Sequence, residues 1–376
     1  MKILHVTSDW KWTGPAEPML RLALAQRAAG HAVALACPEP PQAGRSLASE
    51  ARAADLAPEI VLERARGLRP FADRSDVRRL RALLTDGGFE IAHTWHTRDH
   101  LLALRAMAGR RGHGGISLVR SYRRAEPIPA RPWNRWLFGP GTDGLLCVSP
   151  ASAARCARLR AGRAVAGVFG AVDPVRFFPR PAAPGTRESL GLEAAHRVVG
   201  IVARVQPHRR FDLLLAAAAR LFAAEPRARL LIVGRGTRRR AVAEEPAVRL
   251  GIADRVIFAG YRDADYAEVL RAIDVFTFLV PGSDGTCRAL LEAQACGIPA
   301  VTTRRGALPE IVREGETGVL ASEDPDDLAR EWLRLLHLDA LRERLGETAA
   351  MQARERFSPA RLASEVEALY RAVRKR

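Results

Sequence analysis

The residues best placed to do chemistry lie in the segment PGSDGTCRALLEAQACGIPAV, where Asp284 sits in a glycine-rich stretch and Glu292 follows after seven intervening residues. The run RALLEAQACG predicts a helix opened by that stretch, with Glu292 about two turns inside it. Two carboxylates so spaced can address one hydroxyl-rich ligand threaded past the helix start. A helix leaves the N–H groups of its first turn unpaired, so the amides of Gly285, Thr286 and Cys287 are expected to offer an anion site. Gly282 and Gly285 let a phosphate or sugar approach the backbone closely. A capping role would account for Asp284, but not for an acid at Glu292 within an alanine- and leucine-rich helix.

The elements that must hold these groups follow from the apolar pattern. KILHVT, MLRLALAQRAAG and HAVALAC read as strand, helix and strand, and IAHTW, ISLVRS and GLLCVS as further strands. Between Val172 and Gly185 the chain turns proline-rich and loses its periodicity, which marks a linker. The alternation restarts with RVVGIVARV, FDLLLAAAARLFAA, ARLLIVGRG, a helix through AVAEEPAVRLG, RVIFAGY, DYAEVLRAI, DVFTFLV, RALLEAQACG and PAVTT. Strands alternating with helices imply parallel sheets. The expected fold class is therefore α/β, with two Rossmann-like doubly wound domains facing across a cleft, over residues 1–175 and 186–356. The tail carries Leu362, Val366, Leu369 and Val373 along one helical stripe, and a helix over 357–376 is expected to join the first domain.

The acidic block resembles that of glycosyltransferase family 4, in which two carboxylates with seven residues between them lead into a helix reading LEAxAxGxP; here aspartate replaces the usual first glutamate. The resemblance implies the GT-B fold, with Asp284 holding the donor sugar's hydroxyls and Glu292 the nucleotide ribose, and Gly285, Thr286, Cys287 and Arg288 lining the donor. VGIVARVQPHRRFDLLLAA resembles the family's GRLxxxKG segment, with Arg204, expected to be buried after its apolar run, and Arg209 in place of lysine. Both would contact the donor diphosphate, where hydrogen bonds to ionised groups contribute on the order of 1.5–3 kcal/mol each. LLIVGRG resembles the family's strand and glycine turn at Gly234 and Gly236, and VIFAGY the strand whose following residues, Tyr261 and Arg262, meet the base. RRGALPEIVREGETGVL matches the next block, with Gly306, Pro309 and Glu310 in a structural role.

In the amino half, TGPAEPMLRLALAQRAAGHAV resembles the family's acceptor-domain opening, so Thr13 and Gly14 would face the diphosphate, with Pro15 replacing a second glycine and removing an N–H donor. FEIAHTWHTRDHLLA places His93 and His96 at a strand end, His96 being the better active-site candidate. Arg123 stands where relatives carry an active-site histidine and is assigned to the acceptor. The activity implied is metal-independent transfer of a sugar, with retention, from a nucleotide-diphosphate sugar to a glycan or lipid-linked acceptor such as lipopolysaccharide. A non-catalytic sugar-nucleotide-binding protein and a GT-B-fold epimerase remain open alternatives.

Composition bounds these readings. With 48% hydrophobic and 27% charged residues the 376-residue chain is neither disordered nor membrane-spanning by type, and it is long enough for two cores. MKILHVTSDW reads as a first strand and not as an export signal, so cytoplasmic residence is expected. Five widely spaced cysteines argue against a disulfide framework or zinc site, and neither a metal nor a cofactor is expected. All but three of the 59 basic residues are arginine and the net charge is +17, which suits an anionic partner. No recognition helix or stacking motif points to nucleic acid. RSYRRAEPIPARPWNRWLFGPG interleaves Arg120, Arg123, Arg124, Arg131 and Arg135 with Tyr122, Trp133 and Trp136, as a surface touching anionic lipid at the inner face of a membrane would.

Overall fold

The protein is described from a computed structural model, which covers residues 1–12, 16–63, 69–109, 115–124, 126–160, 162–282 and 285–375. The chain folds as two compact units, residues 1–171 with 359–376, and residues 172–358.

In the first unit the strands are β1 (Lys2–Val6), β2 (Ala32–Cys37), β3 (Ile60–Val61), β4 (Ile91–Thr94), β5 (Ser117–Tyr122), β6 (Gly144–Cys147) and β7 (Ala164–Gly167). They form one parallel sheet in the order β3-β2-β1-β4-β5-β6-β7. The order reverses between β1 and β4, the switch point beside which open α/β sheets bind ligands. β1 is buried on both faces, as a central parallel strand covered by helices must be.

The helix Pro359–Arg374 closes this unit. Leu362, Val366, Leu369 and Val373 enter its core, so the stripe expected from the sequence is the buried face. The helix lies so close to β6 that a Cβ on Gly144 would stand 2.8 Å from Val373 Cγ1. Its Tyr370 completes a chain of buried hydrogen bonds. Trp95 Nε1 donates to His5 Nδ1 (3.2 Å), His5 Nε2 to Gln26 Oε1 (2.8 Å), and Gln26 Nε2 to the Tyr370 oxygen (3.1 Å). The Tyr370 hydroxyl donates to His93 Nδ1 (2.6 Å), whose Nε2 donates to Ser121 Oγ (2.8 Å). Each polar atom has a partner only if both imidazoles are neutral. Burial favours that state: it lowers His5 to about 4 and His93 well below the ordinary histidine value.

In the second unit the strands are β8 (Arg197–Val202), β9 (Ala228–Val233), β10 (Val256–Gly260), β11 (Val275–Phe278), β12 (Ala300–Thr302) and β13 (Gly318–Leu320). They pair in parallel as β10-β9-β8-β11-β12-β13, with the order reversing between β8 and β11. The helix Phe211–Ala224 buries Phe211, Leu214, Leu215 and Leu221 in a core shared with Trp332 and Leu335 of the helix Pro325–His337. The helix expected through AVAEEPAVRLG forms, but its first part, Arg240–Glu244, is wound as a π-helix that runs directly into the α-helix Glu245–Arg249. Pro246 lacks the N–H that an unbroken α-helical ladder would need there.

Candidate functional site

Because all six strands of the second unit run parallel, the segments leaving them emerge on one edge of its sheet. β8 stops at Val202, and alternation turns Val205 into the core and Arg204 out to solvent. The expected burial of Arg204 is thus corrected: it is exposed and able to meet a ligand. Arg209 ends the short turn Pro207–Arg209, is buried, and donates from Nη1 to the carbonyl of Val280 just beyond β11 (3.1 Å). That bond ties the arginine turn to the segment carrying the acids.

β9 runs into Gly234 and Gly236. A Cβ on Gly234 would lie 2.1 Å from the Ala203 carbonyl oxygen, and one on Gly236 would lie 2.0 Å from that of Val205. Only glycine lets this turn pack against the arginine loop. Tyr261, following β10, is 57% exposed, with the Arg235 guanidinium 4.9 Å from its ring centre. Arg262 is held by the Ala259 carbonyl (2.8 Å) and Asp265 (2.8 Å).

Asp284 lies outside the described residues, as do Thr13, Gly14 and Pro15. The loop differs from expectation in two ways. The amide of Gly285 is not free, since it donates to the Gly282 carbonyl (2.8 Å). The helix spans Arg288–Ala295, as the run RALLEAQACG predicts, but Glu292 therefore sits one turn inside it rather than two, and Gly285 and Thr286 precede it. Cys287 precedes that helix at φ 51°, a left-handed conformation uncommon outside glycine, and Thr286 beside it is buried.

Glu292 is 3% exposed, and its position is set from two sides. The buried Tyr266 hydroxyl donates to its Oε2 (2.8 Å), and Arg288 Nε stands 3.6 Å from its Oε1. Burial first, and the Glu292 charge second, push the Tyr266 phenol well above its ordinary value, so it stays a donor. Phe177 meets the Tyr266 ring edge-on at 5.8 Å. Sequence reasoning missed Tyr266, because nothing in DYAEVLRAI tells an apolar core tyrosine from one that holds an acid 26 residues on.

In the first unit His96 is the exposed member of its pair. It precedes the helix Thr97–Ala106, its side chain is 33% exposed, and its Nδ1 meets Thr7 Oγ1 (3.2 Å). His93 is wholly buried in the hydrogen-bond chain and is not a ligand contact. Arg98 and Asp99, which strengthened the histidine signal, have structural roles. Arg98 pairs with buried Asp73 (2.8 Å) and Asp76 (2.7 Å), and Asp99 accepts from the amides of Trp95 and His96. Arg123 is half-buried, 5.5 Å from the Trp95 ring centre. Within the basic aromatic segment, Arg124, Arg131, Arg135, Trp133 and Trp136 are exposed, the two tryptophan rings 5.1 Å apart. Arg120 is not part of that surface: it is 7% exposed.

Among the described residues no group of three or more His, Cys, Asp or Glu could hold a metal ion, and no helix is long and apolar enough to cross a membrane.

Residues 14–176 match the family described as Glycosyltransferase Family 4, and residues 196–338 match Glycosyl transferases group 1. The D-inositol 3-phosphate glycosyltransferase of Segniliparus rotundus is 36% identical over 207 residues, or 54% of this chain and 45% of that protein. The N-acetyl-alpha-D-glucosaminyl L-malate synthase of Bacillus anthracis is 29% identical over 204 residues, or 54% and 52%. The chain spans about half the length of these curated relatives. The Anabaena protein HepE, solved with UDP and glucose, has the same fold at a TM-score of 0.77 and 19% identity, covering 98% of both chains.

Proposed function

Since the chain belongs to glycosyltransferase family 4 and has the GT-B fold, we propose that it moves a hexose-type sugar from a nucleotide-diphosphate sugar to a glycan or lipid-linked acceptor, such as lipopolysaccharide, with retention and without a metal. The observation that carries this reading is the edge of the second sheet, where exposed Arg204, lashed Arg209, the Gly234 turn and the pinned carboxylate of Glu292 follow the neighbouring strands β8, β9 and β11. In this reading Arg204 and Arg209 take the diphosphate, Tyr261 and Arg262 the base, and Glu292 the ribose diol. Asp284 takes the sugar's hydroxyls, beside Gly285, Thr286, Cys287 and Arg288. Thr13 and Gly14 complete the donor contacts, and His96 and Arg123 serve the acceptor side.

The bond from the sugar's anomeric carbon to the diphosphate breaks as a bond to the acceptor oxygen forms on the same face. The acceptor's proton passes to the departing phosphate oxygen, whose growing charge the two arginines stabilise. Arginine is suited to this role because its fork stays charged and matches phosphate geometry.

The test is thermal stabilisation by a panel of nucleotides and nucleotide sugars, starting with UDP forms, with and without a chelator. One nucleotide class should raise the melting temperature equally with chelator present, by roughly 3 kcal/mol of linkage at a hundredfold excess over Kd. A shift abolished by chelator removes the metal-free mechanism. No shift with any nucleotide removes the donor assignment, and binding without turnover across acceptors favours the non-catalytic alternative.

The exposed Trp133 and Trp136 with Arg124, Arg131 and Arg135 support a peripheral, cytoplasmic-face contact with anionic lipid, the rings seated at the interface and the guanidinium groups on headgroups. At low salt the protein should sediment with vesicles of one-third phosphatidylglycerol, and Trp133→Ala with Trp136→Ala should cut the bound fraction several-fold. Equal binding by the double variant, or none by the native protein, would rule this surface out.

A further inference from the structure

Arg120 is the one arginine of the basic segment that the fold takes inside, and its surroundings do not account for its charge. It sits on β5 opposite Thr94 of β4 and is 93% buried, with 7% of its surface exposed. Its Nη1 is sealed from solvent with no hydrogen-bond partner, and no ion pair reaches its guanidinium, among the described residues. Burying a charge without a partner is strongly unfavourable. Burial lowers it only to about 10, opposed by the charge of Asp99, so it remains cationic at neutral pH.

Asp99 does not discharge it. That carboxylate stands beyond salt-bridge range of Arg120, and its oxygens are occupied by the amides of Trp95 (2.9 Å) and His96 (2.8 and 2.9 Å). The same carboxylate lies 3.9 Å from His96 Nδ1, so Arg120 and the part-exposed His96 flank one group. They do so at the carboxyl ends of β4 and β5, next to Thr7 at the end of β1, beside the switch point of this sheet.

We propose that Arg120, with His96, receives an oxyanion, phosphate or carboxylate, carried by the acceptor. An arginine fork lacking a partner in the free protein gives its strongest, two-pronged hydrogen bonds to such a group, and the binding recovers the cost of burying it. This assignment rests on the proposed sugar transfer for the word acceptor, but the anion site itself does not. It also narrows the acceptor class: a neutral glycan would leave the guanidinium unanswered.

The experiment titrates the full chain with phosphate, malonate and chloride at constant ionic strength, following the melting temperature, in native protein and in Arg120→Met, Arg120→Lys and Arg204→Ala. Phosphate or malonate should stabilise native protein and Arg204→Ala saturably, while chloride does not. Arg120→Met should weaken the response at least tenfold yet melt at or above the native temperature without anion, since it removes an unpartnered charge. Arg120→Lys should keep part of the response. Phosphate alone acting would identify a phosphorylated acceptor, and malonate alone a carboxylate. The proposal is overturned if Arg120→Met responds as the native protein does, if the response is lost in Arg204→Ala instead, or if phosphate and malonate act no differently from chloride. It is also overturned if Arg120→Met melts several degrees lower while Arg120→Lys does not, which would make the charge structural. Nucleotide binding by the second unit, measured on the same samples, separates failure here from failure of the donor assignment.

Discussion

Glu292→Ala should weaken binding of the donor nucleotide by about tenfold to a hundredfold, the loss on removing charged hydrogen bonds of roughly 1.5–3 kcal/mol. The carboxylate is buried and held at one oxygen by Tyr266, so little entropy remains to be lost when a ribose diol arrives. Glu292→Gln separates the charge from the shape: it retains an acceptor for Tyr266 and should bind the donor less weakly than alanine does. Tyr266→Phe keeps the ring packing on Phe177 but removes the hydroxyl that holds one carboxylate oxygen, so a several-fold loss is expected without loss of fold. Calorimetric titration with the nucleotide found by thermal stabilisation is the measurement. Native affinity in Glu292→Ala would remove the residue from the donor site.

Arg98→Met should be the most damaging substitution for the first unit's stability. The arginine is buried between Asp73 and Asp76 of the helix Pro70–Asp86, and it also donates to the Glu63 carbonyl (3.3 Å). Removing one member of a buried ionic cluster leaves its partners charged in a poor dielectric, at a cost of about 3–5 kcal/mol. Asp76 shows the strain in advance: burial raises its carboxyl even with Arg98 pulling it down. For a unit of this size the melting transition should fall on the order of 10 °C. Hydrogen exchange should quicken first in the two helices that Arg98 joins. A melt within a degree of native would show that the cluster contributes nothing.

The long apolar strands and the last helix were legible in the sequence because their periodicity is local. β3, β7 and β13 were not: IV and GVL are short runs beside glycines or prolines, and AVAG carries a single bulky apolar residue. The acid block and the glycine turn were legible because their spacing is contained in one loop and one helix. The helix was read from its true start at Arg288, but the amides of Gly285 to Cys287 were counted into its first turn, because nothing local announces a left-handed Cys287 with no side-chain cap. Tyr266 and Arg120 escaped for different reasons. The first works through tertiary contact alone. The second was hidden among so many arginines, and because β5 is buried on both faces, alternation along LVRSY does not separate an inward arginine from an outward one.

The hydrogen-bond chain from Trp95 to Ser121 runs through Tyr370, and Gly144 is shaped to receive Val373, so both features tie the sheet of residues 2–167 to a helix that follows the second unit in sequence. A ribosome delivers these pieces in the opposite order to the one assembly needs. The second unit, being continuous, has all its strands in hand while the first still lacks the helix that seals its sheet. The sheet of residues 2–167 therefore waits, with two neutral imidazoles and an apolar groove beside β6 open, until the helix Pro359–Arg374 follows the second unit out of the exit tunnel and closes it.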